Sequence, residues 1–514
     1  MIKKFLKLSS ISLLIASPAL AADRPNILFI AVDDLKPLLS CYGDPIAKTP
    51  NFDRLAERSI VFTNSHCNQA VCGPSRASLL TGLRPDRTKV HDLKTKTREV
   101  TPWVVTLPEQ LKNNGYTTAG VGKIYDPRSV DKKSDAPSWS RPFILHNLKY
   151  NSDFPEPVLG TYQGKQQHEA LEKIEASGTK GYGPTRKKLE AQELHRVTEA
   201  EDVADDAYSD GAIARHGVEL IRELSGKDKP FFVAVGFKKP HLPFIAPKKY
   251  WDLYERESLP LAEFQKKASD SPEYAYHDSN ELRSYAGIPA EGDIPEDLQR
   301  ELIHGYYACV SYIDTQLGLL LDELDKQSLT DKTVIVLWGD HGWHLGDHGI
   351  WCKHTNYEQA TRSPLFISVP SIKTKGTNAS PVEFIDIYPT LCELSSTPAP
   401  ANLDGRSLVP VLEGKEKAIR DYAVSQFGRG KRMGYGLRGT RYRYVVWCKM
   451  NQGGTPVDSI NSKVDEELYD YQTDPLETKN LAADPAQAEV LKKFRDYTNE
   501  FLSEQQKRIS QEPK

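Results

Sequence analysis

The stretch "PNILFIAVDD", residues 25–34, decides the fold. Ile27 to Val32 is an unbroken apolar run, closed by two carboxylates, Asp33 and Asp34. A strand with one wet face alternates polar and apolar residues, whereas an unbroken run suits a strand covered on both faces of a parallel sheet. Similar runs recur at "YTTAGVGK" (116–123), "PFFVAVGF" (230–237), "KTVIVLWGDHG" (332–342) and "SPLFISVP" (363–370). Between them lie helical patterns at 49–59, 107–115, 202–225 and 298–327. In the last of these Ile303, Tyr306, Tyr307, Val310, Ile313 and Leu317 fall at helical spacing. Strands alternating with helices predict an α/β domain with a large, mostly parallel sheet sandwiched by helices.

Outward from this core the pattern changes three times. Residues 127–200 are polar, with exposed helices expected at "EALEKIEAS" and "PTRKKLEAQELHR"; they read as an insertion in a domain spanning 22–420. From 421 to 514, "DYAVSQF", "YGLRGTRYRYVVW" and "EELYDYQTDP" predict antiparallel strands followed by a helix near 484–507, a smaller C-terminal α+β subdomain. At the other end, "MIKKFLK" is cationic, "ISLLIASPALA" is apolar, and Ala19-Leu20-Ala21 fits a cleavage site. The apolar run is about half of the roughly 20 residues that a membrane span needs. A cleaved signal peptide at 1–21 is therefore expected. It implies a periplasmic or secreted protein without a stable membrane anchor.

Composition narrows the function. A hydrophobic fraction of 39% and a charged fraction of 27% are those of an ordinary globular protein. A net charge of -3 with no strongly basic block argues against nucleic acid. Seven cysteines, at 41, 67, 72, 309, 352, 392 and 448, show no disulfide framework and no CxxC pair.

Ligands of open α/β sheets sit at the carboxyl ends of strands, and two acidic clusters fall there. Asp33-Asp34 closes the first strand, and Asp340-His341 closes "TVIVLWG". Adjacent carboxylates repel unless a cation neutralises them. Three aspartates and one histidine form a mostly oxygen shell suited to a hard divalent ion such as calcium. The run "GDHGWHLGDHG" (339–349) adds His344 and His348, which keeps zinc as the second choice. In "AVCGPSRASLLTG" (70–82), Pro74 suits a first helical turn and Gly82 a helix end. Cys72 is thus expected at a helix N-terminus that attracts anions, with Arg76 one turn in and aimed back at the same spot.

These residues resemble the type I, formylglycine-dependent sulfatases, most closely the iduronate-2-sulfatase branch of that family within the alkaline phosphatase superfamily. The resemblance rests on C-x-P-S-R-x-x-x-x-T-G at 72–82. It extends through "NILFIAVDDLKPLLSCYGD", "GYTTAGVGKIY", "KKPHLPF", "GDHGWHLGDHGIWCKHTNYE" and "ELYDYQTDPLETKNL", and covers the chain apart from the polar insertion. It implies that a maturation enzyme oxidises Cys72 to Cα-formylglycine. One oxygen of the hydrated aldehyde then attacks sulfur and displaces the sugar alcohol. The other loses its proton, sulfate is expelled and the aldehyde returns. A serine sulfate ester would lack that exit route. The resemblance further implies one calcium ion held by Asp33, Asp34, residue 72, Asp340 and His341. Lys123 and Lys353 would contact the sulfate with Arg76, and His241 would protonate the leaving oxygen.

One residue departs from the family pattern. A histidine is expected three residues after the lysine, but "GKIYDP" places Asp126 there. Asp126 is expected near the site in an altered role. Trp343, His344, His348 and His354 are candidates to line a sugar pocket. The resulting expectation is a sulfuric ester hydrolase, exo-acting on a 2-O-sulfated uronic acid or a related residue of a sulfated glycan. A phosphatase or phosphodiesterase of the same superfamily and a non-catalytic glycan-binding relative are the alternatives.

Overall fold

A computed structural model describes residues 24–145, 150–151, 153–450 and 460–513; the expected signal peptide at 1–21 lies outside them. Seven strands form the central sheet: β1 (Asn26–Val32), β2 (Ile60–Phe62), β3 (Thr117–Gly122), β4 (Phe231–Phe237), β5 (Thr333–Gly339), β6 (Leu365–Ser368) and β7 (Gly376–Asn378). Their order across the sheet is β7-β2-β6-β5-β1-β4-β3. Only β6, which pairs antiparallel with both neighbours, runs against the others.

The parity of β1 explains its unbroken apolar run. Leu28, Ile30 and Val32 enter one core, whereas Ile27, Phe29 and Ala31 enter the other. The helices longer than one turn in this part of the chain are α1 (Pro50–Ala56), α2 (Cys72–Thr81), α3 (Leu107–Asn113), α4 (Lys165–Ala176), α5 (Tyr182–Glu190), α6 (Ser209–Leu224), α7 (Glu296–Lys326) and α8 (Ile387–Leu394). Helices α6 and α7 cover the first face through Ile213, Ile221, Tyr306 and Ile313. Helices α2, α3 and α8 cover the second through Leu79, Leu80, Leu107 and Leu391.

A second sheet of four consecutive antiparallel strands follows: β8 (Ala423–Arg429), β9 (Arg432–Arg438), β10 (Tyr442–Lys449) and β11 (Lys463–Asp470). The single stretch read as "YGLRGTRYRYVVW" is two of these strands and their turn. Helix α9 (Ala488–Ser510) packs Leu491, Phe494 and Phe501 on this sheet. Among the described residues no helix is long and apolar enough to cross a membrane. All seven cysteines are unpaired.

Candidate active site

Register brings the chemistry to one edge. Val32 lies opposite Phe237 and Gly339, and Gly122 lies opposite Gly236. The residues that follow, Asp33, Lys238 and Asp340, therefore leave the sheet at one level, with Lys123 one residue before it. Asp34 turns away with φ +59, a conformation unusual for a residue with a Cβ but tolerated by aspartate. Two contacts hold it there: its N–H donates to Asp340 Oδ1 (2.9 Å) and its carbonyl accepts from Tyr306 Oη (2.8 Å).

Helix α2 begins at Cys72 and is buried along its whole length. Cys72 Sγ lies 3.4 Å from His341 Nε2 and 3.9 Å from Asp34 Oδ1. His341 Nε2 is 3.2 Å from the same Asp34 oxygen. Ligand atoms of Asp33, Asp34, Cys72 and His241 fall within 4.8 Å of one another, and so do those of Cys72, Asp340 and His341. This set is rich in oxygen and offers one imidazole beside Asp340, so it fits a hard divalent cation better than zinc. The rings of His344 and His348 point elsewhere: His344 Nε2 pairs with Thr355 Oγ1 (2.9 Å), and His348 Nε2 faces the Glu477 carbonyl (3.3 Å). Burial pushes the Cys72 thiol well up, and the Asp33 charge adds to it. As a thiol, residue 72 would be a weak nucleophile.

Cations are threaded between the carboxylates. Arg76 Nη2 reaches Asp33 Oδ1 and its Nε reaches Asp340 Oδ2, both at 2.9 Å. Lys123 Nζ pairs with Asp33 (2.5 Å), and Lys353 Nζ with Asp34 (2.9 Å) and Glu281 (3.0 Å). Burial raises the Asp33 carboxyl, but Lys123 and Arg76 outweigh it and hold the group well below the usual range. His241 Nδ1 donates to the Leu242 carbonyl (2.6 Å), leaving Nε2 3.3 Å from Glu281 and 3.8 Å from Asp34. Burial, then Lys353, push the His241 imidazole down towards its neutral form.

Above this floor lies a cleft of about 540 Å³ lined by Asp33, Cys72, Lys123, His241 and Lys353. Asp126 and His354 also line it. Two expectations need correction. Trp343, His344 and His348 are buried and line none of the cleft, because their loop folds under it. Trp343 instead supports Lys353, whose Nζ sits 4.8 Å from its ring centroid. Arg76 is fully buried and outside the cleft lining, and its guanidinium is paired with Asp33 and Asp340, so it positions those carboxylates. The polar insertion, whose role the sequence left open, builds a wall through Leu159, Tyr162, Tyr182, Arg186 and His195.

Sequence reasoning also missed Glu281, Arg128 and Lys238. Glu281 sits in a one-turn helix, Asn280–Arg283, with no motif around it. Arg128 was detectable only as the cation two residues beyond Asp126.

Clustered carboxylates at the carboxyl edge of a doubly covered sheet, beneath a cationic cleft, define a hydrolase of the alkaline phosphatase superfamily. The family model described as Sulfatase matches residues 25–397, and the chain belongs to that family. A second model, N-sulphoglucosamine sulphohydrolase C-terminal, matches residues 346–505. The chain is 33% identical to iduronate 2-sulfatase of Mus musculus, covering 92% of this chain and 94% of that one. Among solved structures, it is similar to one in complex with its substrate D-glucosamine-2-N,6-O-disulfate, with a TM-score of 0.69, 21% identity and coverage of 95% and 98%. A 2-O GAG sulfatase superposes with a TM-score of 0.65, 22% identity and coverage of 94% and 92%.

Proposed function

We propose that this sulfatase is exported and removes sulfate from a sulfated glycan, acting from the chain end on a 2-O-sulfated uronic acid. Cys72 would be matured by a formylglycine-generating enzyme, and one calcium ion would be held by Asp33, Asp34, Asp340, His341 and residue 72. The carrying observation is the meeting of Cys72, at the start of α2, with Asp34 and His341 from two distant strand ends. The likeness to iduronate 2-sulfatase supports the uronate. A cationic cleft of sugar size supports an anionic glycan.

When in place, the hydrated aldehyde supplies the nucleophilic oxygen and the cation supplies positive charge for the sulfate oxygens. The rest falls to side chains of this chain. Helix α2 fixes residue 72 beneath the sulfate, and Arg76 locks the carboxylates around it. Lys123 and Lys353 place ammonium groups at the cleft floor, where charge developing on sulfate oxygens is stabilised. His241 Nε2 gives a proton to the leaving sugar oxygen. An anionic substrate beside the imidazole raises its proton affinity and loads it for that step.

The test begins with mass spectrometry of the peptide containing residue 72, after co-expression with a maturation enzyme. Oxygen in place of sulfur is expected; an active protein that retains the thiol overturns the nucleophile. Sulfate release from a 2-O-sulfated uronate disaccharide should exceed that from 6-O-sulfated glucosamine. The reverse order removes the uronate.

A further inference from the structure

The residue standing where the family places a histidine does not act on the reacting group, because its carboxylate is already engaged. Asp126 is buried, and Arg128 grips it with a fork: Nε to Oδ1 at 2.9 Å and Nη2 to Oδ2 at 2.7 Å. The Arg128 backbone N–H adds a third bond to Oδ1 at 2.9 Å. A charge-assisted fork of this kind fixes a guanidinium plane as well as its position. The turn is itself braced. Ser129 N–H returns to the Asp126 carbonyl (3.1 Å), and the Ser129 hydroxyl lies where a Cβ on Gly73, next to Cys72, would come within 3.0 Å.

The opposite edge of the same guanidinium is open. Arg128 is 54% exposed, it lines the cleft, and its Nη1 has no hydrogen-bond partner among the described residues. Of the other cations of the cleft, Lys238 meets only the Gly160 carbonyl among the described residues and loses its charge near pH 8, and four more are committed. Lys123 holds Asp33, Lys353 holds Asp34 and Glu281, Lys239 Nζ holds the carbonyls of His241 and Pro243, and Arg186 holds Glu190. Arg128 is also near enough to Asp33 for that carboxylate's charge to act on it.

We propose that Arg128, pinned by Asp126, is a specificity residue that binds a second oxyanion of the sugar, distinct from the sulfate being removed. A uronate carboxylate and a further sulfate share the required chemistry: two oxygens able to accept from the Nη1 and Nη2 edge. The inference rests on the sulfatase reading above. It also accounts for Asp126, which adds no net negative charge to the site because Arg128 neutralises it.

The experiment compares a 2-O-sulfated uronate disaccharide with its carboxyl-reduced analogue, and with the analogue bearing an added 6-O-sulfate. For each protein the readout is the ratio of kcat/KM between the doubly anionic and the carboxyl-reduced substrate. In Arg128→Gln this ratio should fall by about tenfold or more, the scale of one charge-assisted hydrogen bond. Arg128→Lys, which keeps the charge but not the fork, should lie between. A fall for the carboxylate substrate alone identifies the carboxylate; a fall for the 6-O-sulfated analogue alone identifies a sulfate. A ratio within about twofold of the parent in both variants overturns the proposal. So does an equal loss on every substrate, which would place Arg128 at the scissile sulfate. Calorimetric binding of the same sugars to Cys72→Ala, with and without Arg128→Gln, gives the same comparison without turnover. If the parent enzyme releases no sulfate, the proposed function fails, and binding alone decides Arg128: loss of discrimination supports it, and unchanged discrimination overturns it.

Discussion

At the residue scale the site is a balance of buried charges. Asp33, Asp34 and Asp340 are fully enclosed, and each is met by a cation or an N–H. Lys238 is a cation of the cleft whose charge changes near pH 8. Burial, opposed by Asp210, pushes its ammonium down to about 8, and among the described residues Nζ bonds only to the Gly160 carbonyl (3.2 Å). The sign follows directly: Lys238 is charged below about pH 8 and neutral above it. Attraction for an anionic substrate should therefore weaken as pH rises through that value, with KM increasing several-fold while kcat changes less. Lys238→Met should start from the higher KM and remove that limb of the profile. An unchanged limb in the variant would assign it to another group. Asp126 teaches a related lesson: the missing histidine was readable in "GKIYDP", but its consequence required seeing Arg128 close on it.

At the scale of elements, the position of Lys123 depends on two glycines in contact. Gly122 leaves β3 at φ +84, and a Cβ there would lie 2.1 Å from the Gly236 carbonyl oxygen. A Cβ on Gly236 would lie 2.3 Å from the Lys123 carbonyl carbon. This close approach lets the Lys123 N–H donate to Gly236 O (2.7 Å) and presents the Lys123 carbonyl to Arg76. Gly236→Ala should push the Lys123 backbone outward and lower kcat/KM by about tenfold or more. Overpacking of this kind costs about 1–3 kcal/mol of stability. Sulfate release and thermal unfolding measure the two effects. Normal activity with a normal midpoint would show that the strand ends tolerate separation. The elements themselves were legible in the sequence. Helix α2 runs from Cys72 to Thr81 with Gly82 at its left-handed end, and β1, β3, β4, β5 and β6 fall inside the apolar runs. The antiparallel direction of β6 was not legible, because an apolar run carries no sign of direction.

At the scale of the molecule, the C-terminal sheet braces the loop that carries Lys353. Arg429 donates to the His354 carbonyl, Asn356 Nδ2 reaches the Phe427 carbonyl (3.4 Å), and Arg443 donates to the Asn356 carbonyl. Arg443 is buried, pairs with Glu477 at 2.7 Å and lies 3.6 Å from Glu358. Burial pushes the Glu477 carboxyl up to about 8 despite this pairing, so replacement by methionine removes mainly charge-assisted hydrogen bonds, a loss on the order of 1–3 kcal/mol. Arg443→Met should lower the denaturation midpoint accordingly and reduce kcat by releasing the Lys353 loop. A shift below about 1 kcal/mol would show that the interface does not depend on this pair. The insertion acts at the same scale. Residues 127–200 carry no motif, yet they close one side of the cleft.

The sequence by itself determined the layered sheet, the strand-end aspartates and the helix that begins at Cys72. Each of these is written in local periodicity or in a short motif. Tertiary structure alone decided that Arg76 pairs with the carboxylates and that His344 and His348 turn away. It also decided that Glu281 joins Lys353 and His241, and that Arg128 closes on Asp126 while its other edge faces the cleft. The physical reason is range: hydrophobic burial follows from neighbours along the chain, whereas the partner of a buried charge is chosen by whichever groups the fold brings within about 3 Å.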